Sequence, residues 1–352
     1  GAPLALAREG ACLAIDGRIG NALRIALSPS LHGWLARDLV DIKPAAPPLR
    51  RGTISNVSVT DSDTTTLVRI PLGLRVPFAV TDRVEPPSLE LTLFGVNNRL
   101  DWVVERAERG FIETITTLPA TDGSCRFYIS VRAKRLFGFR TYYDGDTFWL
   151  VLRHPPKPSS DPSRPLAGRT IVVDPGHGGA SNGTLGSTGI QEKVINLEMA
   201  RVLRRLLEKR GATVRLTRSD DYDVSLAERA HQAELGGDLF VSVHNNSIAL
   251  TSDPLRERGV SVYYYHSQSR EAAEAIYHRM LNVEPRPHPW GLVRADLYVV
   301  REITAVPSVL VECLFLSHPE DEMLLMDKAY VERDMEAVAA GIADWFAAVT
   351  RR

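Results

Sequence analysis

His177 lies in the run Val173-Asp174-Pro175-Gly176-His177-Gly178-Gly179, directly after the apolar segment Thr170-Ile171-Val172-Val173. This order puts an imidazole on a tight, glycine-flanked turn at the carboxyl end of a strand, the edge of an open α/β sheet where sites are built. Glu192, His244 and Glu312 stand in comparable positions. Two histidines and one carboxylate can hold a zinc ion with one coordination position left open, and a further carboxylate can serve as the base. The chemistry these side chains point to is metal-assisted hydrolysis.

Each residue has a plainer explanation when taken alone. A glycine-rich turn after a strand can cradle an anion through its amides, although such a cradle has no need of His177. Glu192 precedes a helix expected from about Lys193, where the helix dipole alone favours an acidic group. His244 follows Leu239-Phe240-Val241-Ser242-Val243 and precedes Asn245 and Asn246, so a polar loop cluster would account for it. Glu312 follows Val309-Leu310-Val311 and precedes Cys313-Leu314-Phe315-Leu316. A carboxylate in so apolar a strand is costly unless paired or metal-bound, and burial would raise its pKa toward the range of a general base or acid. His231 and His278 fall in helical patterns and His318 in a loop, all three expected to be structural or solvated. His288 is a loop residue that could line a groove.

The elements that must position these groups are legible in the patterning. From residue 168 onward the chain alternates strand and helix. An apolar stripe of Ile195, Met199, Val202, Leu203 and Leu206 marks a helix ended by Gly211. Thr213–Thr217 reads as a strand, and Ser225 with Glu228 forms a capping box for the next helix. Strands follow at Leu239–Val243, Val260–Tyr264 and Ser308–Val311, then a helix through Met335, Val338, Ile342 and Phe346. The expected fold class is α/β, a mostly parallel sheet flanked by helices on both faces. Before it, Leu89, Leu91 and Leu93, and again Phe127, Ile129 and Val131, alternate with polar residues, as strands with one buried face do. Asp144-Gly145 marks a hairpin between Arg140–Tyr142 and Phe148–Leu150. Proline-rich runs at Lys43–Pro48 and His154–Pro165 act as spacers. The expected division is a small β-rich piece (1–43), a β-sandwich (51–153), a proline-rich linker (154–167) and an α/β domain (168–352).

Bulk properties narrow the class. The chain has 352 residues, 44% of them hydrophobic and 24% charged, with a net charge of -1. That balance gives no electrostatic case for nucleic acid or an anionic membrane, and no apolar run reaches the roughly 20 residues of a membrane span. Cys12, Cys125 and Cys313 are too few and too scattered for a disulfide framework or a metal pair, and Cys313 is expected to be a buried thiol. The start at Gly1, without Met, fits a processed product from which a signal peptide was removed.

The 168–352 segment closely resembles the zinc-dependent N-acetylmuramoyl-L-alanine amidases of the type-3 family, bacterial cell-wall amidases used in daughter-cell separation. The resemblance rests on Val173–Gly179, Gly189-Ile190-Gln191-Glu192-Lys193, Asn196-Leu197, Leu216-Thr217-Arg218, Leu226-Ala227-Glu228-Arg229, Leu239–Asn246 and Val309–Ser317, in the family's order. It implies that His177, Glu192 and His244 ligate Zn2+ and that Glu312 is the catalytic carboxylate. It also implies a peptidoglycan substrate, a periplasmic or cell-wall location, and an envelope or division regulator of unknown identity. Asn245 and Leu314 stand where the family often has Ala and Gly, and neither is expected to touch a ligand. Only Ser247–Gly259 separates His244 from the next strand, which leaves little room for a helix that plugs the site and predicts an open groove. The sandwich resembles the AMIN module that targets such amidases to the wall, and residues 1–43 resemble an SH3-like barrel. Arg294 and Arg301 could meet substrate carboxylates. The rival readings are a zinc peptidase acting on peptidoglycan peptides and a non-catalytic wall-binding protein, though a binder has no need of Glu312.

Overall fold

The computed structural model describes residues 3–43, 50–83, 85–105, 110–118, 122–249 and 251–349. The prolines of the first spacer, Pro44 to Pro48, lie outside them. The chain divides into two compact units, Gly1–His154 and Pro155–Arg352.

In the first unit, β1 (Ala14–Ile19), β2 (Ala22–Ala26) and β3 (His32–Ala36) form an antiparallel three-stranded sheet. There follow β4 (Gly52–Asp61), β5 (Thr65–Pro71), β6 (Phe78–Arg83), β7 (Ser88–Phe94), β8 (Val96–Glu105), β9 (Ile112–Leu118), β10 (Ser124–Val131), β11 (Phe139–Asp144) and β12 (Thr147–Arg153). These make two sheets, β6-β7-β10-β9 and β11-β12-β5-β4-β8. The period-two residues do what alternation requires. Leu89, Leu91, Leu93, Phe127 and Ile129 of one sheet pack in a common core with Val57, Val68, Ile70, Phe148 and Leu150 of the other. In the β11–β12 hairpin Asp144 pairs with Thr147, so the turn is Gly145-Asp146, one residue later than the sequence signal. Gly145 supplies the positive φ of 56° there.

The second unit runs β13 (Thr170–Pro175), α1 (Glu192–Lys209), β14 (Thr213–Leu216), α2 (Leu226–Glu234), β15 (Leu239–Asn246), β16 (Val260–Tyr264), α3 (Arg270–Met280), β17 (Pro289–Arg294), α4 (Tyr298–Arg301), β18 (Ser308–Phe315), α5 (Pro319–Met326) and α6 (Lys328–Val349). The sheet order is β14-β13-β15-β18-β16-β17. β14, β13, β15 and β18 are parallel, β16 runs antiparallel to β18, and β17 is parallel to β16. The α/β reading holds, with one reversal. No helix is described between β15 and β16, and a parallel return needs a crossover of a dozen or more residues, usually helical. The proline-rich stretch before β13 packs on this unit: Leu166 is fully buried and its N–H bonds the carbonyl of Arg210.

α6 contacts both α1 and α3 on one face of the sheet. On the other face, α2 and α4 cover a cluster of Val172, Ala230, Ala233, Phe240, Val299, Val300, Ile303 and Leu310. Strand alternation carries that second face onward to the carboxyl rim. Two residues beyond Val172, Phe240 and Leu310 stand Asp174, Ser242 and Glu312, and His244 follows Ser242 by two more. No described helix is long and apolar enough to cross a membrane.

Candidate metal centre and active site

The turn carrying His177 is built under strain and braced. His177 is in the left-handed region at φ 59°, the only non-glycine described there, between Gly176 and Gly178. Such a conformation costs a residue with a Cβ about 1–3 kcal/mol and persists only where surroundings over-determine it. Two buried arginines do so. Arg218 donates to the carbonyls of Pro175 (3.1 Å) and Gly176 (2.9 Å), and Arg229 to those of Pro175 (2.8 Å) and His177 (2.7 Å). The Arg229 charge is answered by the buried Asp174 carboxylate, which also accepts from Ser242 Oγ at 2.7 Å and from Thr217 Oγ1. This lattice faces the turn from the flanking elements, and the sequence reading missed it. Its signal was present, since both arginines sit in the quoted runs, but a charged side chain is not expected to be fully buried.

Three of the four candidate side chains converge. His177 Nε2 is 3.1 Å from Glu192 Oε2, and His244 Nδ1 is 2.9 Å from Glu192 Oε1. One ligand atom from each of the three lies within 4.8 Å of the others. Bonds of about 2.0–2.1 Å in tetrahedral array separate neighbouring ligand atoms by about 3.3 Å, so the trio fits a zinc-sized cation with little movement. The side chains are 29%, 5% and 18% exposed for His177, Glu192 and His244, so the imidazoles meet solvent and the carboxylate does not. Glu192 is the first residue of α1 rather than the residue before it. Burial would raise its carboxyl, but hydrogen bonds from His177 and His244 prevail and hold it well below the usual range. Ser181 Oγ, 2.9 Å from His177 Nδ1, fixes the ring from behind, as outer partners of metal-binding histidines do. Glycines make the space. A Cβ on Gly176 would collide with the His244 ring, and one on Gly183 with the Glu192 carboxylate and the His177 ring.

Glu312 stands beside this cluster, paired in register with His244 across β15 and β18. The residue is half-buried, but its Oε2 is out of solvent contact and has no hydrogen-bond partner. Burial, and then the negative charge of Glu192, push its carboxyl well above the ordinary value.

Asn245 corrects an expectation, for it does reach a proposed ligand. Its peptide N–H donates to Glu192 Oε1 at 3.2 Å, and its Nδ2 donates at 2.9 Å to Asn196 Oδ1. Asn196 Nδ2 in turn donates to Glu192 Oε1 at 3.1 Å. The last residues of β15 abut the first turn of α1, where Asn196 follows Glu192 by one helical turn. His318 is only 4% exposed, at the start of α5, which is the structural of the two roles expected for it. Arg301 is occupied by Asp296 and by Glu302 (2.8 Å), while Arg294 is exposed and donates to the carbonyl of Tyr265. His231, His278 and His288 are exposed and outside the cluster.

Fold and cluster together define an α/β domain with a candidate metal centre on its carboxyl rim and a buried acid beside it. Residues 171–344 match the profile of the N-acetylmuramoyl-L-alanine amidase family. It is 35% identical over 191 residues to a protein named probable cell wall amidase LytH of Staphylococcus aureus, a match covering 52% of this chain and 60% of that one. The chain thus spans about 60% of the length of these curated relatives. Among solved structures, N-acetylmuramoyl-L-alanine amidase AmiC2 of Nostoc punctiforme is 33% identical, at TM-score 0.48, over 51% of this chain and 98% of that one. The CwlD amidase of Clostridioides difficile, solved in complex with the GerS lipoprotein, is 29% identical at TM-score 0.48, over 51% and 100% respectively.

Proposed function

We propose that the chain hydrolyses the amide between N-acetylmuramic acid and L-Ala of the peptidoglycan stem peptide. His177, Glu192 and His244 would hold Zn2+, and Glu312 would act as the proton carrier. The observation that supports this most is the meeting of two imidazoles and a carboxylate at bonding separations beside a buried, unpartnered acid. Zinc, when bound, supplies a water of lowered pKa and a Lewis acid for the scissile carbonyl. Glu312 takes the proton of the attacking water and returns it to the departing amine of L-Ala, so one group serves as base and then acid. The partly exposed imidazoles leave the cluster open on the solvent side, and the Asn245 N–H and Asn196 Nδ2 behind Glu192 keep its carboxylate from turning away.

The domain assignments belong to the same proposal. Residues 168–352 would be the catalytic domain, 51–153 an AMIN-like wall-targeting module and 1–43 a small SH3-like piece, acting in the periplasm or cell wall. The test is digestion of purified sacculi by zinc-loaded protein, with metal content measured on the same material. New L-Ala amino termini, without new termini inside the peptide, support the amidase. Termini within the peptide would replace it with a zinc peptidase, and binding without any new terminus with a wall-binding protein.

A further inference from the structure

We infer that Trp290 is a binding residue for the sugar side of the substrate, its indole receiving the muramic acid ring that precedes the scissile amide. The inference rests on the amidase reading above and deepens it, from which bond is cut to which way the substrate lies.

Register brings the indole to the centre. β16 runs antiparallel to β18, and β17 parallel to β16, so the first residues of β17 reach the rim where Glu312 stands. Glu312 is paired with Ser261, and Ser261 with Gly291. Paired residues share a face, so the face of His244 and Glu312 continues to the edge of the sheet beside Trp290. Strands lie about 4.8 Å apart, which sets β17 about 10 Å from β18. The indole leans back over that interval. Its ring centroid lies 6.2 Å from that of Tyr263 and 5.9 Å from that of Phe315, and Phe315 is on β18 itself. β18 bulges between the pairs His244–Glu312 and Asn246–Phe315, which returns Phe315 to the face of Glu312. A lactyl arm and one pyranose ring bridge an interval of this order.

The indole is exposed and yet held. Trp290 is 41% exposed, while its Nε1 donates to Glu257 Oε2 at 3.1 Å and its ring packs on Tyr263 and Phe315. The segment before β16 is fixed against the start of β17. The Val260 N–H bonds the His288 carbonyl at 3.0 Å, and Gly259, at φ 106°, allows the approach, since a Cβ there would collide with that carbonyl. A large apolar ring fixed in one orientation and left open to solvent loses little freedom when a ligand covers it.

Charge decides which half of the substrate the indole receives. Muramic acid is neutral once its lactyl carboxyl is tied up in the amide, and its hydroxyls are donors. The stem peptide carries free carboxylates. Beside the indole stands Glu257, 42% exposed, whose Oε1 meets only the largely solvated Arg256 at 3.8 Å. A carboxylate accepts from hydroxyls and repels other carboxylates. The cations that could offset it are engaged or elsewhere. Arg258 is paired with Glu320 and Asp321, and Arg294, the last residue of β17, is carried to the opposite rim. The electron-rich face of an indole also suits the C–H face of a pyranose.

The test uses the full, zinc-loaded chain as wild type, Trp290→Leu and Trp290→Phe. Leucine keeps apolar contact with Tyr263 and Phe315 but has no flat face, and phenylalanine keeps a smaller one. Two substrates are compared, a muramoyl peptide and the same peptide capped by D-lactate alone, so that the scissile amide is common and the sugar is not. Released L-Ala termini are followed for kcat and KM, with metal content measured on each protein. Wild type is expected to show a KM about tenfold lower for the muramoyl peptide, the worth of one well-seated aromatic contact. Trp290→Leu should bring that preference close to one, through the KM of the muramoyl peptide and not through kcat, since the ring is held equally in the ground and transition states. Trp290→Phe should retain part of the preference. A preference unchanged in both variants overturns the inference alone, as does a wild type indifferent to the sugar, or a loss of equal size against both substrates. A zinc-loaded wild type that frees no L-Ala termini from either substrate overturns the amidase reading and this inference with it.

Discussion

Glu312 and the three convergent residues differ in what their removal should do. Glu312→Gln keeps the shape of the side chain but not its basicity. It should keep zinc and lose about 10²–10⁴-fold in kcat, the usual worth of general acid–base catalysis. Loss of metal in that variant, by elemental analysis, would make Glu312 a ligand instead. Glycines near the cluster offer a sharper contrast. Gly183 (φ 70°) and Gly189 (φ 85°) both sit where a side chain is strained. A Cβ on Gly189 meets nothing within 4 Å, whereas one on Gly183 comes within 2.7 Å of His177 Cδ2 and closer still to Glu192 Oε2. Gly189→Ala should therefore cost about 1–2 kcal/mol of stability and retain zinc. Gly183→Ala should lose most of its zinc at the same protein concentration. Equal zinc in the two would show that the glycine space around Glu192 does not shape the centre.

At the scale of elements, the strand–turn–helix order was readable because its residues are apolar at the right period. Val172 and Val173 announce β13, and the stripe from Ile195 to Leu206 announces α1, with Gly211 at φ 96° ending it. Two kinds of information were not local. β17 is not marked by the sequence pattern, since Pro289, Trp290 and Gly291 carry no alternation, and it exists by pairing at the edge of the sheet with β16. The brace beneath His177 depends on which helix the sheet brings over which turn, and no spacing in the sequence states that Arg229 reaches Asp174, 55 residues away. The candidate ligands were legible as post-strand polar residues, but Asn245 as a support for Glu192 was not, because its role is a backbone N–H. The brace makes its own prediction. Arg229→Met leaves the Asp174 carboxylate, 1% exposed, without its cation and the His177 carbonyl without a donor. Uncompensated buried charge costs about 3–5 kcal/mol, so the melting temperature should fall by roughly 10 °C. A shift of a degree or two would show that Ser242 and Thr217 suffice to hold Asp174.

At the scale of the molecule, the second unit contains a buried acid that the proposed chemistry does not use. Asp334 on α6 is 0% exposed, and neither of its carboxyl oxygens meets a well-formed hydrogen-bond partner. Around it lie the Cys313 thiol and the buried Tyr330 phenol, with Asp321 and Arg333 acting on the same phenol. Burial pushes the Asp334 carboxyl up to about 7, against the smaller opposing pull of the Cys313 contact. A pKa raised in the folded state means that the fold holds this proton more tightly than the unfolded chain does. The stabilising contribution is complete below about pH 4, is lost progressively as pH rises toward 7, and is absent above it. Between pH 5 and pH 8 the loss is about 3 kcal/mol, at 1.36 kcal/mol per pKa unit. Asp334→Asn removes the titration while keeping the volume. Thermal unfolding across that range should show wild type losing stability relative to the variant by about this amount, with the gap opening between pH 5 and 7 and level from 7 to 8. A gap that stays constant from pH 5 to 8 would mean that Asp334 titrates as an ordinary solvated carboxylate, and that the interior beneath β18 admits water the packing of Cys313, Tyr330 and Val338 is here taken to exclude.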